Sequence, residues 1–338
     1  MAALELTRPQ ILAFRRRVAA LDERLPFSAT SLRRAAWAGL TDSMPRAALL
    51  SIHARVRGAK PTSWEHPSLV QLWGPRFSTY VVPKRDHAVF SLGRLPEDAR
   101  GRRRAEAIAD ELHVLLTGRR LTDREAGEAL GAHPGRFRYA GATGRVLIRW
   151  EGARAPMVWT VPAPDVEPAD ARRELARRYL RVFGPATETA FARWAGIGRK
   201  GAAAAFDALS SSLTPVRTPI GEAWILARDE QTFREPAGPP AAARLLPSGD
   251  TYYLLHGADR ELLVPDAASR GELWTSRVWP GAVLLAGEVA GTWRRDQGKL
   301  TIARWRRFSP AERDAVEAEA ASLPLPGIDG EITVRWDD

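Results

Sequence analysis

The sequence predicts an α+β fold: tandem winged helix-turn-helix motifs with a C-terminal, mainly β domain. Three observations carry that prediction. Residues 172–226 read as three helices followed by a β-hairpin, and residues 101–170 repeat the layout in weaker form. After a proline- and glycine-rich run at 236–240, the chain changes to short β-prone segments with one helix.

Along the chain, Thr7-Arg8-Pro9 starts a helix whose apolar face is Ile11, Leu12, Phe14, Val18 and Leu21. A short helix is expected over 31–39, and Thr41-Asp42-Ser43-Met44-Pro45 breaks the pattern. A third helix runs from about Arg46 to Val56, with Asp42 or Ser43 placed to accept its free N–H groups. Residues 64–68 mark a loop and a new helix start, and 77–83 read as a strand. Gly101 to Arg104 precede a helix with core face Ile108, Leu112, Leu115 and Leu116. A short capped helix follows at 122–130. Residues 133–139, bearing Arg136 and Arg138, resemble a recognition helix, and 146–150 with 157–161 form a hairpin turning at Gly152.

In residues 172–183 the apolar positions Leu175, Tyr179, Val182 and Phe183 recur at helical spacing, and Gly184-Pro185 stops that helix. Thr187 can cap the next, through Phe191 to Trp194. A turn over 196–201, carrying Arg199 and Lys200, leads to a third helix at 202–209 and a hairpin of 213–217 with 223–226. In such a module the third helix can enter a DNA major groove while the hairpin touches the backbone. Similar modules also serve as protein–protein adaptors. Beyond the linker, strands are expected at 244–247, 252–255, 261–264, 282–286, 289–294, 300–305 and 332–336. One helix starts at the capping box Ser309-Pro310-Ala311-Glu312. Four segments result: 1–100, 101–170, 171–238 and 239–338.

At 338 residues the chain has room for two or three cores, and 45% hydrophobic with 27% charged residues is ordinary for a globular protein. No apolar run approaches the roughly 20 residues of a membrane span, and Met1 to Arg8 lacks the apolar core of a secretion signal. Without cysteine there are no disulfides or thiolate-bound metals. The six histidines are scattered without ligand spacing. A cytoplasmic monomer without metal or cofactor is expected. The net charge of +10 is unevenly spread. Residues 1–100 carry 16 basic against 8 acidic side chains and 101–170 carry 11 against 10; 171–238 carry 11 against 7 and 239–338 carry 12 against 15. A polyanion would bind before residue 239.

Several stretches together resemble one family, the winged-helix DNA glycosylases typified by AlkZ and YcaQ, which excise alkylated or cross-linked purines. They are Arg177-Arg178-Tyr179-Leu180, Phe183 to Thr187, Phe191-Ala192-Arg193-Trp194, Arg244-Leu245-Leu246-Pro247 with Asp250 and Tyr252, and Gly287 to Arg294. The resemblance covers nearly the whole chain. It implies tandem winged helices forming a concave surface for double-stranded, lesion-containing DNA, and it admits a setting of antibiotic self-resistance.

In that family the catalytic signature is a glutamine separated by one residue from a second glutamine or an aspartate. Here Thr41 and Ser43 stand at the paired positions with Asp42 between them, so the resemblance points to Thr41, Asp42 and Ser43 as catalytic. The reaction must stabilise an oxocarbenium-like sugar and position a water. Hydroxyls can hold that water, and Asp42 could supply negative charge if it turned into the cleft. A plain helix cap is the other reading of Asp42-Ser43. Candidate DNA contacts are Arg46, His53, Arg55, Arg76, Arg102, Arg136, Arg138, Arg199 and Lys200, with His53 alternatively a buried structural histidine. The competing function is a non-catalytic DNA-binding protein or regulator.

Overall fold

Three times along this chain helices lead into a small three-stranded sheet, and a five-stranded sheet ends it. The computed structural model describes residues 4–152, 154–236, 238–328 and 330–337. No helix among them is long and apolar enough to cross a membrane, and no group of three or more potential metal ligands gathers among them.

The first part comprises β1 (Leu4–Glu5), α1 (Arg8–Val18), α2 (Ala29–Ala35), β2 (Leu40–Thr41), α3 (Ala47–Arg55), β3 (Leu69–Trp73), β4 (Thr79–Pro83) and α4 (His87–Leu92). Its sheet runs β2-β4-β3. The apolar run Leu69–Trp73 is a strand where a helix start was expected, because Val70 to Trp73 pair antiparallel with Thr79 to Val82. All nine residues of α3 are buried.

The second part is α5 (Ala99–Leu116), β5 (Leu121–Thr122), α6 (Asp123–Ala129), α7 (Phe137–Ala140), β6 (Val146–Arg149) and β7 (Met157–Thr160). Asp98, not the arginine run, caps α5, its side chain accepting from Gly101 N–H at 2.7 Å. Arg102 to Arg104 therefore lie inside the helix. Thr122 and Glu125 close the capping box of α6.

In the third part are α8 (Pro168–Phe183), α9 (Glu188–Ala195), α10 (Arg199–Asp207), β8 (Leu213–Thr218), β9 (Gly221–Leu226) and α11 (Glu230–Arg234). Thr187 caps α9. The rings of Tyr179, Phe183 and Trp194 pack at 4.8 to 5.5 Å between centroids, fixing α9 against α8. β1 returns from the N-terminus to pair parallel with β8. In the expected linker, residue 237 lies outside the described residues.

The last part holds β10 (Ala243–Leu246), α12 (Ala258–Leu263), α13 (Ala267–Leu273), β11 (Gly281–Leu285), β12 (Glu288–Asp296), β13 (Lys299–Arg304), α14 (Pro310–Ala321) and β14 (Thr333–Asp337). The sheet order is β10-β11-β12-β13-β14. Two expected strands are not strands. Residues 251–253 form a 3-10 turn, because Asp250 accepts from the Tyr252 N–H at 2.9 Å and caps it. Leu262 and Leu263 are buried from a helix, where a short apolar run looks the same as in a strand. With α13, this makes three helices where one was expected.

Candidate active site

The motif segment leaves the sheet at its edge. Thr41 is the last residue of β2, and Asp42 N–H donates to Thr79 O at 2.8 Å before the chain turns into α3. Arg46 completes the turn with φ +66°, a backbone conformation that side-chain-bearing residues rarely adopt.

Two hydrogen bonds stitch this segment to a loop some two hundred residues later. Thr41 Oγ1 donates to Gly249 O at 2.7 Å, and Thr251 Oγ1 donates to Gly39 O at 2.9 Å. Below them Asp250, fully buried, accepts from both Nη atoms of Arg55 at 2.7 Å and from Ser51 Oγ at 2.6 Å. Such a carboxylate is tolerable inside a protein only because paired and hydrogen-bonded donors replace water.

Asp42 turns inward, away from the cleft. Its Oδ1 accepts from Ala48 N–H at 3.0 Å, capping α3, and its Oδ2 accepts from Gln71 Nε2 at 2.6 Å. Gln71 Oε1 in turn accepts from Trp150 N–H at 2.7 Å, linking the motif to the hairpin of β6 and β7. Burial pushes the Asp42 carboxyl up to about 6, against the opposing pull of Ala48 N–H, Arg46 and Gln71. Of the two readings of Asp42, the helix cap is the one found, and the carboxylate does not turn into the cleft.

Thr41 and Ser43 instead open on a cleft of about 200 Å³ whose walls include Tyr80, Trp194, Trp279 and His256. Thr41 has given its single O–H to Gly249, so it offers only lone pairs. Ser43 is exposed and makes no hydrogen bond among the described residues. Trp194 is 2% exposed, and its Nε1–H has no partner among the described residues. Arg76 Nη1 lies 3.0 Å from His256 Nε2. Arginine can only donate, so Nε2 accepts. Burial, then the charges of Arg76, Arg260 and Arg193, push His256 down to about 4, which leaves it neutral at pH 7.

The residues expected to face DNA divide sharply. Arg76, Arg102, Arg138, Arg199 and Lys200 are exposed, the last two opening α10. Arg136 is half-buried and paired with Glu111 at 2.8 Å. Half-buried Arg46 stacks over Trp64 at 4.3 Å and donates to Glu151 O. Two are corrected. Arg55 is 2% exposed and bound to Asp250. His53 is buried beside Arg24 and Ser322, and burial with the charges of Arg24 and Arg244 pushes it down to about 3. Both lie on a helix without a solvent face, so neither reaches DNA. His256, Trp279, Arg193 and Arg260 were missed as cleft-side residues; only proximity in the fold joins them to Thr41.

Comparison with known proteins bears on this site. The sequence model described as DNA glycosylase AlkZ-like matches residues 34–324, a span that includes Thr41 to Ser43 and the loop of Gly249. An interstrand DNA cross-link repair glycosylase of Streptomyces sahachiroi is 26% identical over 264 residues, covering 69% of each chain. The structure of the Streptomyces sahachiroi DNA glycosylase AlkZ matches with a TM-score of 0.79 at 18% identity, over 99% of this chain and 100% of that one. At that identity the structural likeness speaks for the fold. The family assignment rests on the sequence match: the chain belongs to the AlkZ-like DNA glycosylase family.

Proposed function

We propose that the protein is a monofunctional glycosylase that hydrolyses the N-glycosidic bond of N7- or N3-alkylated purines in duplex DNA, bulky or cross-linked adducts included. The observation that carries this reading is that the hydroxyls of Thr41 and Ser43, at the family's motif position, open on a cleft with aromatic walls and an arginine at its rim. In support, α8–α10 with β8–β9, and α5–α7 with β6–β7, have the layout of winged helix-turn-helix units; α10 would offer Arg199 and Lys200 to the groove. The four segments 1–100, 101–170, 171–238 and 239–338 serve in this reading as three DNA-facing units and a closing β domain.

An N7-alkylated purine is already cationic. When its bond to C1′ breaks, the electron pair leaves with the base, which becomes neutral, and the sugar takes up the positive charge. The lone pairs of Thr41 face that developing cation, while the free hydroxyl of Ser43 holds the water that adds to C1′ and then releases its extra proton to solvent. Asp42 acts at one remove by fixing the turn that carries both hydroxyls. A single hydrolytic step fits a cleft whose lining, among the described residues, includes no lysine to form a Schiff base. The Streptomyces relative, an interstrand DNA cross-link repair glycosylase, accords with the choice of bulky adducts.

A second reading, a DNA-binding protein without chemistry, is favoured by one observation: the only carboxylate of the motif points away from the cleft. Single-turnover incubation with duplexes carrying one N7-methylguanine or one bulky N7 adduct, followed by alkaline cleavage, separates the two. Protein-dependent abasic sites are the expected result. Tight duplex binding with no abasic product on either lesion supports the second reading instead.

A further inference from the structure

We propose that Arg76, Arg193 and Arg260, gathered on His256, form a clamp for one backbone phosphate of the strand that enters the cleft. The inference rests on the DNA-binding reading above and adds to it a specific site.

The four residues come from three separate places. Arg76 sits in the 3-10 turn Pro75–Phe77 with φ +55° and ψ +29°, a conformation costly for a residue with a side chain and usually retained only where the surroundings impose it. Here the turn between α9 and α10 packs closely against it: a Cβ on Gly196 would stand 3.1 Å from the Arg76 nitrogen. That packing sets Arg76 so that its guanidinium meets His256. Arg193 comes from α9, and its Nη1 would stand 3.5 Å from a Cβ on Gly257, the neighbour of His256. Arg260, on α12, is held by Nε donating to Leu255 O at 2.8 Å and by the faces of Trp274 and Trp279, at 4.9 and 5.2 Å. Its outer nitrogens remain available.

None of the three arginines has an ion pair among the described residues. Other arginines of the fold are matched: Arg15 with Asp259 at 2.9 Å and Arg178 with Asp86 at 2.9 Å, while Arg181 bonds Asp229. Asp259 lies on the same helix as Arg260, yet its carboxylate is given to Arg15. Three guanidinium groups around one imidazole repel one another, and an arriving anion turns that repulsion into attraction. Planar forks with several N–H donors suit a phosphodiester. The neutral His256 adds no fourth positive charge and orients Arg76 through its lone pair.

Position selects a strand phosphate over a free anion. His256 lines the cleft of Thr41 and Ser43 on one side. On the other, with Arg193, it lines a cavity of about 170 Å³ beneath the hairpin of β8 and β9. A strand passing from that hairpin to the cleft would cross the arginines. Holding its phosphate there would set the sugar of the target nucleotide over the two hydroxyls, so the arginines are positioning residues.

The test is a binding experiment, independent of whether the protein cleaves. Duplexes carrying a tetrahydrofuran abasic analogue are made with one phosphate at a time replaced by a neutral methylphosphonate, around the analogue. Affinity and its salt dependence are measured for wild type, for Arg193→Gln/Arg260→Gln, for Arg193→Gln/Arg260→Lys, and for the surface control Arg57→Gln. We expect one methylphosphonate position to weaken wild-type binding about tenfold or more and to reduce the salt slope by about 1. In the double variant the same replacement has no further effect, and Arg260→Lys recovers part of the loss. Equal methylphosphonate effects in wild type and variant at every position would overturn the clamp. So would inorganic phosphate binding that the double variant loses without any single strand position responding, since that describes a free-anion site. Failure of wild type to bind any duplex overturns the DNA reading itself; duplex binding with no arginine-dependent phosphate overturns the clamp alone.

Discussion

One arginine on one side and three on the other flank the motif segment, and they are built on opposite terms. Arg55, beneath it, is sealed from water and donates to both oxygens of Asp250 and to the backbone carbonyl of Ser51. Arg76, Arg193 and Arg260, at its rim, converge without a carboxylate among the described residues. The first arrangement is satisfied by the fold and fixes where Thr41 stands. The second is left for something outside the fold to satisfy. Residue type is the same in both; the presence of a partner separates scaffold from binding surface.

The comparison breaks most visibly at the buried group. Asp250→Ala leaves the Arg55 guanidinium buried without its counter-charge and is expected to destabilise the protein by about 3–5 kcal/mol, read from chemical denaturation. Arg76→Gln should change stability by less than about 0.5 kcal/mol; equal losses in the two variants would erase the distinction between the groups.

Next in size is the chemistry between them. Thr41→Ala with Ser43→Ala should lower the single-turnover excision rate roughly a hundredfold while duplex affinity holds, on the scale of removing a transition-state contact. Undiminished excision would take the reaction elsewhere.

Asp42 offers a pH signature of smaller size. Its folded pKa of about 6 lies above the ordinary 3.8, so its folded form holds a proton that the unfolded chain gives up. The stability it contributes is full below pH 4 and is lost as pH rises through 6, on the order of 2–3 kcal/mol in all. His53 works in the opposite direction: with a folded pKa of about 3, its contribution is present above about 6.5 and lost as pH falls towards 3. The difference in stability between wild type and Asp42→Asn isolates the carboxyl, and a flat difference between pH 4 and 7 would show that Asp42 titrates normally. The smallest effect is expected at α10. Arg199→Gln should weaken duplex binding severalfold and lower the salt slope by about 1; an unchanged slope would remove α10 from the interface.

What was legible in the sequence is whatever local chemistry decides. Thr122, Ser309 with Glu312, and Thr187 announced helix starts that the structure keeps. The hairpins 146–160 and 213–226 followed from β-prone runs around turns. Local reading failed where burial is complete. On α3 every side chain is covered, so helical spacing could not tell an outward arginine from an inward one. The runs at 252–255 and 261–264 are apolar whether strand or helix, and the capping aspartate at 250 decides the first. The clustering of His256, Arg193 and Arg260 near Thr41 depends on contacts between distant parts of the chain, which no window of sequence contains.

The two hydrogen bonds joining residues 39–41 to 249–251 also order events during synthesis. A chain emerging from the ribosome would display Arg102, Arg138, Arg199 and Lys200 well before Gly249 exists to receive the Thr41 hydroxyl. Basic surface thus comes first and a finished cleft last: under the proposed function, a half-made molecule would meet DNA before it has the completed pocket with which to cut a base from it.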